Sequence, residues 1–152
     1  MSVRDRLNDD LKTAMRAKDN VRLTVIRGVK AAILHAETKN QRTTLEDDGI
    51  LQVLAKEVKE RRDAIIEFER VGRPELVAKL QQEIVVLQEY LPEPLSETQL
   101  AHLIDEALHS VEARGPKDMG RVMGWLSPKT RGRVDGKIVS EAVRQALANR
   151  VQ

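Results

Sequence analysis

Five of the chain's eight glycines and six of its Lys/Arg residues fall within Gly115–Lys137, GPKDMGRVMGWLSPKTRGRVDGK, against only two acids, Asp118 and Asp135. Glycine inside a helix costs about 1 kcal/mol against alanine, so its placement here needs a reason. Gly120 and Gly124 stand four apart, on one side of a helix. Two missing side chains there let another backbone come close, either a packed helix or a sugar-phosphate chain. A β-branched residue at Gly120 is then expected to fill space that the fold or a ligand uses. Gly132 and Gly136 bracket Arg133-Val134-Asp135, and Asp135 is a natural N-cap for a following helix. The free amides of that helix start, its dipole and the neighbouring Arg131, Arg133 and Lys137 together make a phosphate seat. Lys117, Arg121 and Lys129 add charge to the same stretch. Tight packing beneath an ordinary solubilising surface explains the residues equally well.

Other reactive side chains offer less. His102, Asp105, Glu106 and His109 lie along one side of a single helix, but two imidazoles seven apart need a bridging carboxylate to share a metal. A wet helix face opposite Leu103, Ile104 and Leu108 explains them without a ligand. With no cysteine in the chain, no Gly-x-Ser-x-Gly elbow and no His near Ser127, a nucleophile is missing. A phosphate-cradling Gly-x-x-x-x-Gly-Lys-Ser/Thr loop is missing too. No catalytic residue, metal or cofactor is assigned.

These residues must be positioned by helices, because the apolar spacing is helical throughout. Ser2 with Asp5 opens a first helix with a stripe of Val3, Leu7, Leu11 and Met15. Lys18-Asp19-Asn20 is a turn, and Val21, Val25, Ile26, Val29 and Ile33 mark a second helix. After a polar loop at 39–44, Thr44 and Asp47 open a third, carrying Ile50, Leu54, Val58, Ile65 and Phe68. Gly72 stops it and Pro74 starts a fourth, which ends at Tyr90-Leu91-Pro92. Two prolines in LPEPLS cannot continue a helix and read as a stiff hinge. Ser96 with Gln99 caps the next helix. A short one with Val122, Met123 and Leu126 follows, then a polar turn from Ser127 to Arg133, then a last helix with Ile138, Val143 and Leu147. The expected fold is all-α: a four-helix N-terminal half, residues 1–91, joined by a Pro-rich hinge to a small three-helix C-terminal domain, residues 95–152.

Charge is distributed unevenly although the net is only +2. Residues 1–30 carry eight bases and four acids, residues 31–114 ten and seventeen, and residues 115–152 eight and three, or +4, −7 and +5. Two basic ends flank an acidic middle, and either end could face a polyanion. One Phe, one Tyr and one Trp argue against reading single strands by base stacking. Without an apolar span or an apolar leader, a mature soluble protein is expected, and a cysteine-free chain fits a reducing cytoplasm.

The stretch DMGRVMGWLSPKTRGRVDGK resembles the C-terminal signature of the YqeY family, which shares a fold with the tail of the GatB subunit of tRNA-dependent amidotransferases. LNDDLKTAMRAKDNVRLTVIRGVKAAILHAE resembles the family's opening helix pair and YLPEPLSETQL its inter-domain connection. Arg121 and Val134 stand where Lys and Ala would be expected, and Trp125 is larger than usual. The resemblance implies a tRNA-binding accessory protein whose phosphate contacts come from Lys117, Arg121, Lys129, Arg131, Arg133 and Lys137. Arg16, Lys18 and Arg22 are candidates to assist, and Gly120, Gly124, Gly132 and Gly136 allow close approach. Such contacts select tRNA by shape and charge. An aminoacyl-tRNA synthetase or an amidotransferase is an expected protein partner, with the chain itself a monomer. One alternative is a carbon–nitrogen ligase with glutamine as amido-N-donor, alone or as a subunit, for which His102, Asp105 and His109 are the best, though weak, polar constellation. A third is a protein-binding adaptor.

Overall fold

A computed structural model describes residues 1–39 and 42–150. Among them are seven α-helices and one short 3-10 turn, with no strand, and no helix is long and apolar enough to cross a membrane. The chain divides into two compact units, Met1–Pro92 and Glu93–Gln152.

The first unit contains α1 (Val3–Ala17), α2 (Asn20–Thr38), α3 (Asp47–Arg70) and α4 (Pro74–Gln88). Ser2 caps α1 by accepting the Asp5 amide at 3.1 Å. The helix ends on Lys18, which turns left-handed at φ 56°, and Asp19 at once caps α2 through the Arg22 amide. Val3, Leu7, Val25, Ile26, Val29, Ile33, Ile50, Leu54 and Leu87 form the core. Met15 departs from the expected stripe and is 53 % exposed, because Ala14 takes the buried position beside it. Gly72 ends the third helix at φ +71°, and Pro74 supplies the first residue of the fourth. Residues 40 and 41 of the expected 39–44 loop lie outside the described residues.

Thr44 does not cap α3; its N-cap is Glu46, without a side-chain bond. The Asp47 carboxylate is instead turned to the start of α1, where it accepts the Val3 amide at 3.0 Å. One unsatisfied amide at a helix start is thereby met by a residue 44 positions away. Two further acids stitch the unit together. Glu37 accepts Arg4 at 2.6 Å and the Leu45 amide at 2.8 Å. Glu89, just past α4, accepts from both terminal guanidinium nitrogens of Arg22. Beside it Tyr90 is buried, donates to Asp10 and lies under the Arg6 guanidinium, 4.9 Å from the ring centre.

The second unit contains α5 (Glu97–Ser110), a 3-10 turn (Pro116–Asp118), α6 (Met119–Thr130) and α7 (Gly136–Ala148). Ser96 and Gln99 form a complete capping box at the start of α5. The core is aliphatic: Leu100, Ile104, Ala107, Leu108, Val122, Leu126, Val139, Val143 and Leu147. The polar turn is shorter than expected, because α6 runs through Pro128 to Thr130. Pro128 removes one bond in the ladder and crowds the carbonyl of residue i−4, here Gly124, on the exposed side of the helix. Buried Leu126 and Thr130 hold the inner side in register meanwhile. The turn that does follow depends on Gly132, at φ +75°.

Two outcomes are expected of this fold. Replacing Gly132 with Ala forces a Cβ into the left-handed region and should destabilise the protein by about 1–2 kcal/mol in urea unfolding; an unchanged midpoint would contradict the assigned turn. The Leu45 amide, aided by Arg4, holds the Glu37 carboxyl below its ordinary range, and the Arg22 guanidinium does the same for Glu89. Both groups are depressed in the folded state, so their stabilisation is present above the unfolded value of about 4.3 and lost as pH falls through the folded values. The urea midpoint should hold steady from about pH 7 to 5 and drop below about pH 4.5, with a smaller drop in Glu89→Gln.

Candidate nucleic-acid interface

The basic stretch is organised around Asp118, which is only 8 % exposed. Its carboxylate accepts the amides of Arg114 at 2.8 Å and Gly115 at 3.4 Å, and Arg121 donates to it from 3.2 Å. The Arg114 amide is the chief reason its carboxyl sits below the ordinary Asp range. A second nitrogen of Arg121 donates to the Val111 carbonyl just after α5. Arg121 therefore joins α6 to the preceding connection, and its charge is partly balanced. The i, i+3 spacing of Asp118 and Arg121 was the available signal for this pair.

Gly120, Gly124 and Pro128 follow at four-residue intervals along the exposed side of α6. A Cβ built at Gly120 or Gly124 would meet nothing within 4 Å. The packed-helix explanation of these glycines is thus ruled out within the described residues, and the space that Gly120 leaves is not filled by the fold. Arg121 and Trp125 flank this bare strip on one side, and Lys117 precedes it. Trp125 is half-buried against the core, and the Lys129 ammonium stands 4.1 Å above its ring. That pairing holds Lys129 on the helix surface without cancelling its charge.

The turn after α6 uses its cations differently. Arg133 is half-buried, donates from Nε to the Glu93 carbonyl at 2.9 Å, and accepts the Leu95 amide on its own carbonyl at 3.0 Å. It fastens the segment between Pro92 and Ser96 to the second unit. Arg131, Lys137 and Gly136 are exposed. The phosphate seat expected at the start of α7 is largely occupied by the chain itself. Asp135 accepts the Lys137 amide on its side chain at 2.9 Å, and its carbonyl takes the amides of Ile138 and Val139. An incoming phosphate would meet the Asp135 carboxylate where free amides were expected. Lys117 and Lys137 have no ion pair among the described residues.

The remaining sequence candidates fall elsewhere. His102, Asp105 and His109 are exposed on α5, with His109 Nδ1 donating to the Asp105 carbonyl of its own helix at 2.8 Å. Among the described residues no group of three or more His, Asp or Glu could hold a metal ion. In the first unit, Arg22 is committed to Glu89 and Asp19, while Arg16 and Lys18 are exposed.

Comparison with known proteins gives this arrangement a family. The family model described as Yqey-like protein matches residues 4–147. The chain is 33 % identical over 145 residues to altered inheritance of mitochondria protein 41, mitochondrial, of Pyrenophora tritici-repentis, covering 93 % of this chain and 79 % of that one. The protein of the same name from Eremothecium gossypii is 34 % identical over 146 residues, with the same coverage. That of Kluyveromyces lactis is 35 % identical over 127 residues, covering 82 % of this chain and 69 % of the relative. These names correct the cytoplasmic expectation, since the relatives are named as mitochondrial proteins. The expectation failed because a chain without cysteines has no thiol or disulfide and so says little about its compartment. The motif residues from Asp118 into α7 lie within a family match that spans residues 4–147: this protein belongs to the YqeY family.

Proposed function

We propose that the chain is an accessory protein that binds tRNA, gripping its phosphate backbone with the outer side of α6 and the turn that follows. The observation that carries this reading is the strip of Gly120, Gly124 and Pro128, open to solvent and bordered by cations, in a segment of net +5. A helix side without side chains lets a sugar-phosphate chain come close, and surrounding cations reward that approach. Lys117 and Lys137 are the strongest contact candidates, being exposed and without an ion pair among the described residues. Arg131, Lys129 and Arg121 contribute at shorter reach, whereas Arg133 serves chiefly to hold the Glu93–Leu95 segment. One Trp, itself covered by Lys129, leaves little for base stacking, so recognition by shape and charge is favoured.

The experiment is fluorescence polarisation with labelled tRNA, each variant paired with a melting curve and with an assay for glutamine-dependent amide transfer. With about four phosphate contacts, a fourfold rise in salt should weaken binding roughly 100-fold. Lys117→Ala with Lys137→Ala should reduce affinity about tenfold at unchanged melting temperature. Gly124→Leu should leave the fold intact, since its side chain enters open space, yet weaken binding by obstructing the approach. Salt-independent binding, or full affinity in both variants, would refute the proposal. Amide transfer that is lost in His102→Ala with His109→Ala would favour the ligase alternative.

A further inference from the structure

The first unit carries a groove lined by none of the residues proposed above to contact tRNA. It lies between α1 and α2, has a volume of about 430 Å3 and is open to solvent. Its walls are mostly apolar, formed by Leu7, Ala31, Ile33 and Leu34. Leu7 and Ile33 belong to the core, but Leu34 stands 61 % exposed at the rim. An exposed leucine beside an apolar hollow forgoes much of the stabilisation that its burial would contribute.

The charges around the hollow are unbalanced. Glu37, the acid at the groove, is committed to Arg4 and the Leu45 amide. The Lys30 ammonium is met by the neutral side-chain oxygen of Asn8, at 2.6 Å. Among the described residues neither Lys30 nor Arg27 has a carboxylate within ion-pair distance. Arg27, Lys30, Ala31 and Leu34 recur at i, i+3, i+4 and i+7, so helical geometry places them along one side of α2. The hollow itself is thus lined by one cation whose charge is not cancelled, Lys30, and Arg27 lies about one turn earlier along the same side of α2.

We propose that this groove docks an acidic amphipathic helix of a partner protein. One apolar side chain of the partner enters the hollow against Leu34, and carboxylates on neighbouring turns meet Lys30 and Arg27. Charge complementarity names this occupant, and the walls require its apolar stripe, the arrangement of helix-in-groove recognition. A phosphate backbone would satisfy the cations but leave the apolar walls wet. A lipid surface is entered by protruding apolar side chains, whereas the feature here is concave.

A library of random peptides of about 16 residues, some four helical turns, displayed on phage and selected against the full chain, tests this. The enriched peptides are then synthesised and their affinities measured. The expected peptides are net acidic, with apolar residues at i, i+3 or i+4, and i+7. Leu34→Glu and Lys30→Glu should each weaken them about tenfold or more. Both side chains are exposed, so the melting temperature should hold. Enrichment of basic or unpatterned peptides, no enrichment at all, or full affinity in Leu34→Glu would overturn the proposal. So would competition for the groove by tRNA or by phosphatidylglycerol vesicles.

Discussion

Asp118 is one of two polar residues buried among the described positions, and its carboxylate gathers the Arg114 and Gly115 amides and the Arg121 guanidinium. A carboxylate removed from water is tolerable only with such donors. By satisfying it, the chain fixes the connection from α5 through the 3-10 turn into α6. With that start fixed and Val122 and Leu126 committed to the core, the opposite side of α6 must face solvent. Gly120, Gly124 and Pro128 occupy that side. The bare strip is therefore a consequence of where Asp118 anchors the helix.

Much of the architecture could be read from local spacing. Ser2, Ser96 and Asp135 announce helix starts that the structure contains, because a cap involves residues only two or three apart. Gly72 and Pro74 mark a boundary through backbone conformation alone. Where the reading failed, a distant residue or burial decided the outcome. Asp47 resembles part of a local cap but serves the amide of Val3. Pro128 resembles a stop, yet buried Leu126 and Thr130 on either side of it keep α6 helical. Met15 matches a stripe on paper, while Ala14 is the residue that the neighbouring helices cover.

The candidate site was legible in composition but not in the division of labour among its cations. Six Lys/Arg residues look alike in a sequence. The fold commits Arg133 to the Glu93 carbonyl, Arg121 to Asp118 and Val111, and Lys129 to the Trp125 ring. Lys117 and Lys137 are left facing outward. The start of α7 looked like an anion seat because its cap residue was counted as a boundary and not as a negative charge already in place. The strip on α6 gained weight for the converse reason: only the three-dimensional arrangement shows that no part of the described chain fills it.

Under the proposed function, the outer side of α6 and the turn after it meet the RNA backbone. The most direct measurement is a titration of the 15N-labelled protein with unlabelled tRNA, followed by amide chemical shifts at moderate salt. The largest changes are expected between Lys117 and Lys137, centred on Gly120, Gly124 and Arg131, with the α1–α2 groove unaffected. Shifts confined to the first unit, or to α5 around His102 and His109, would contradict it.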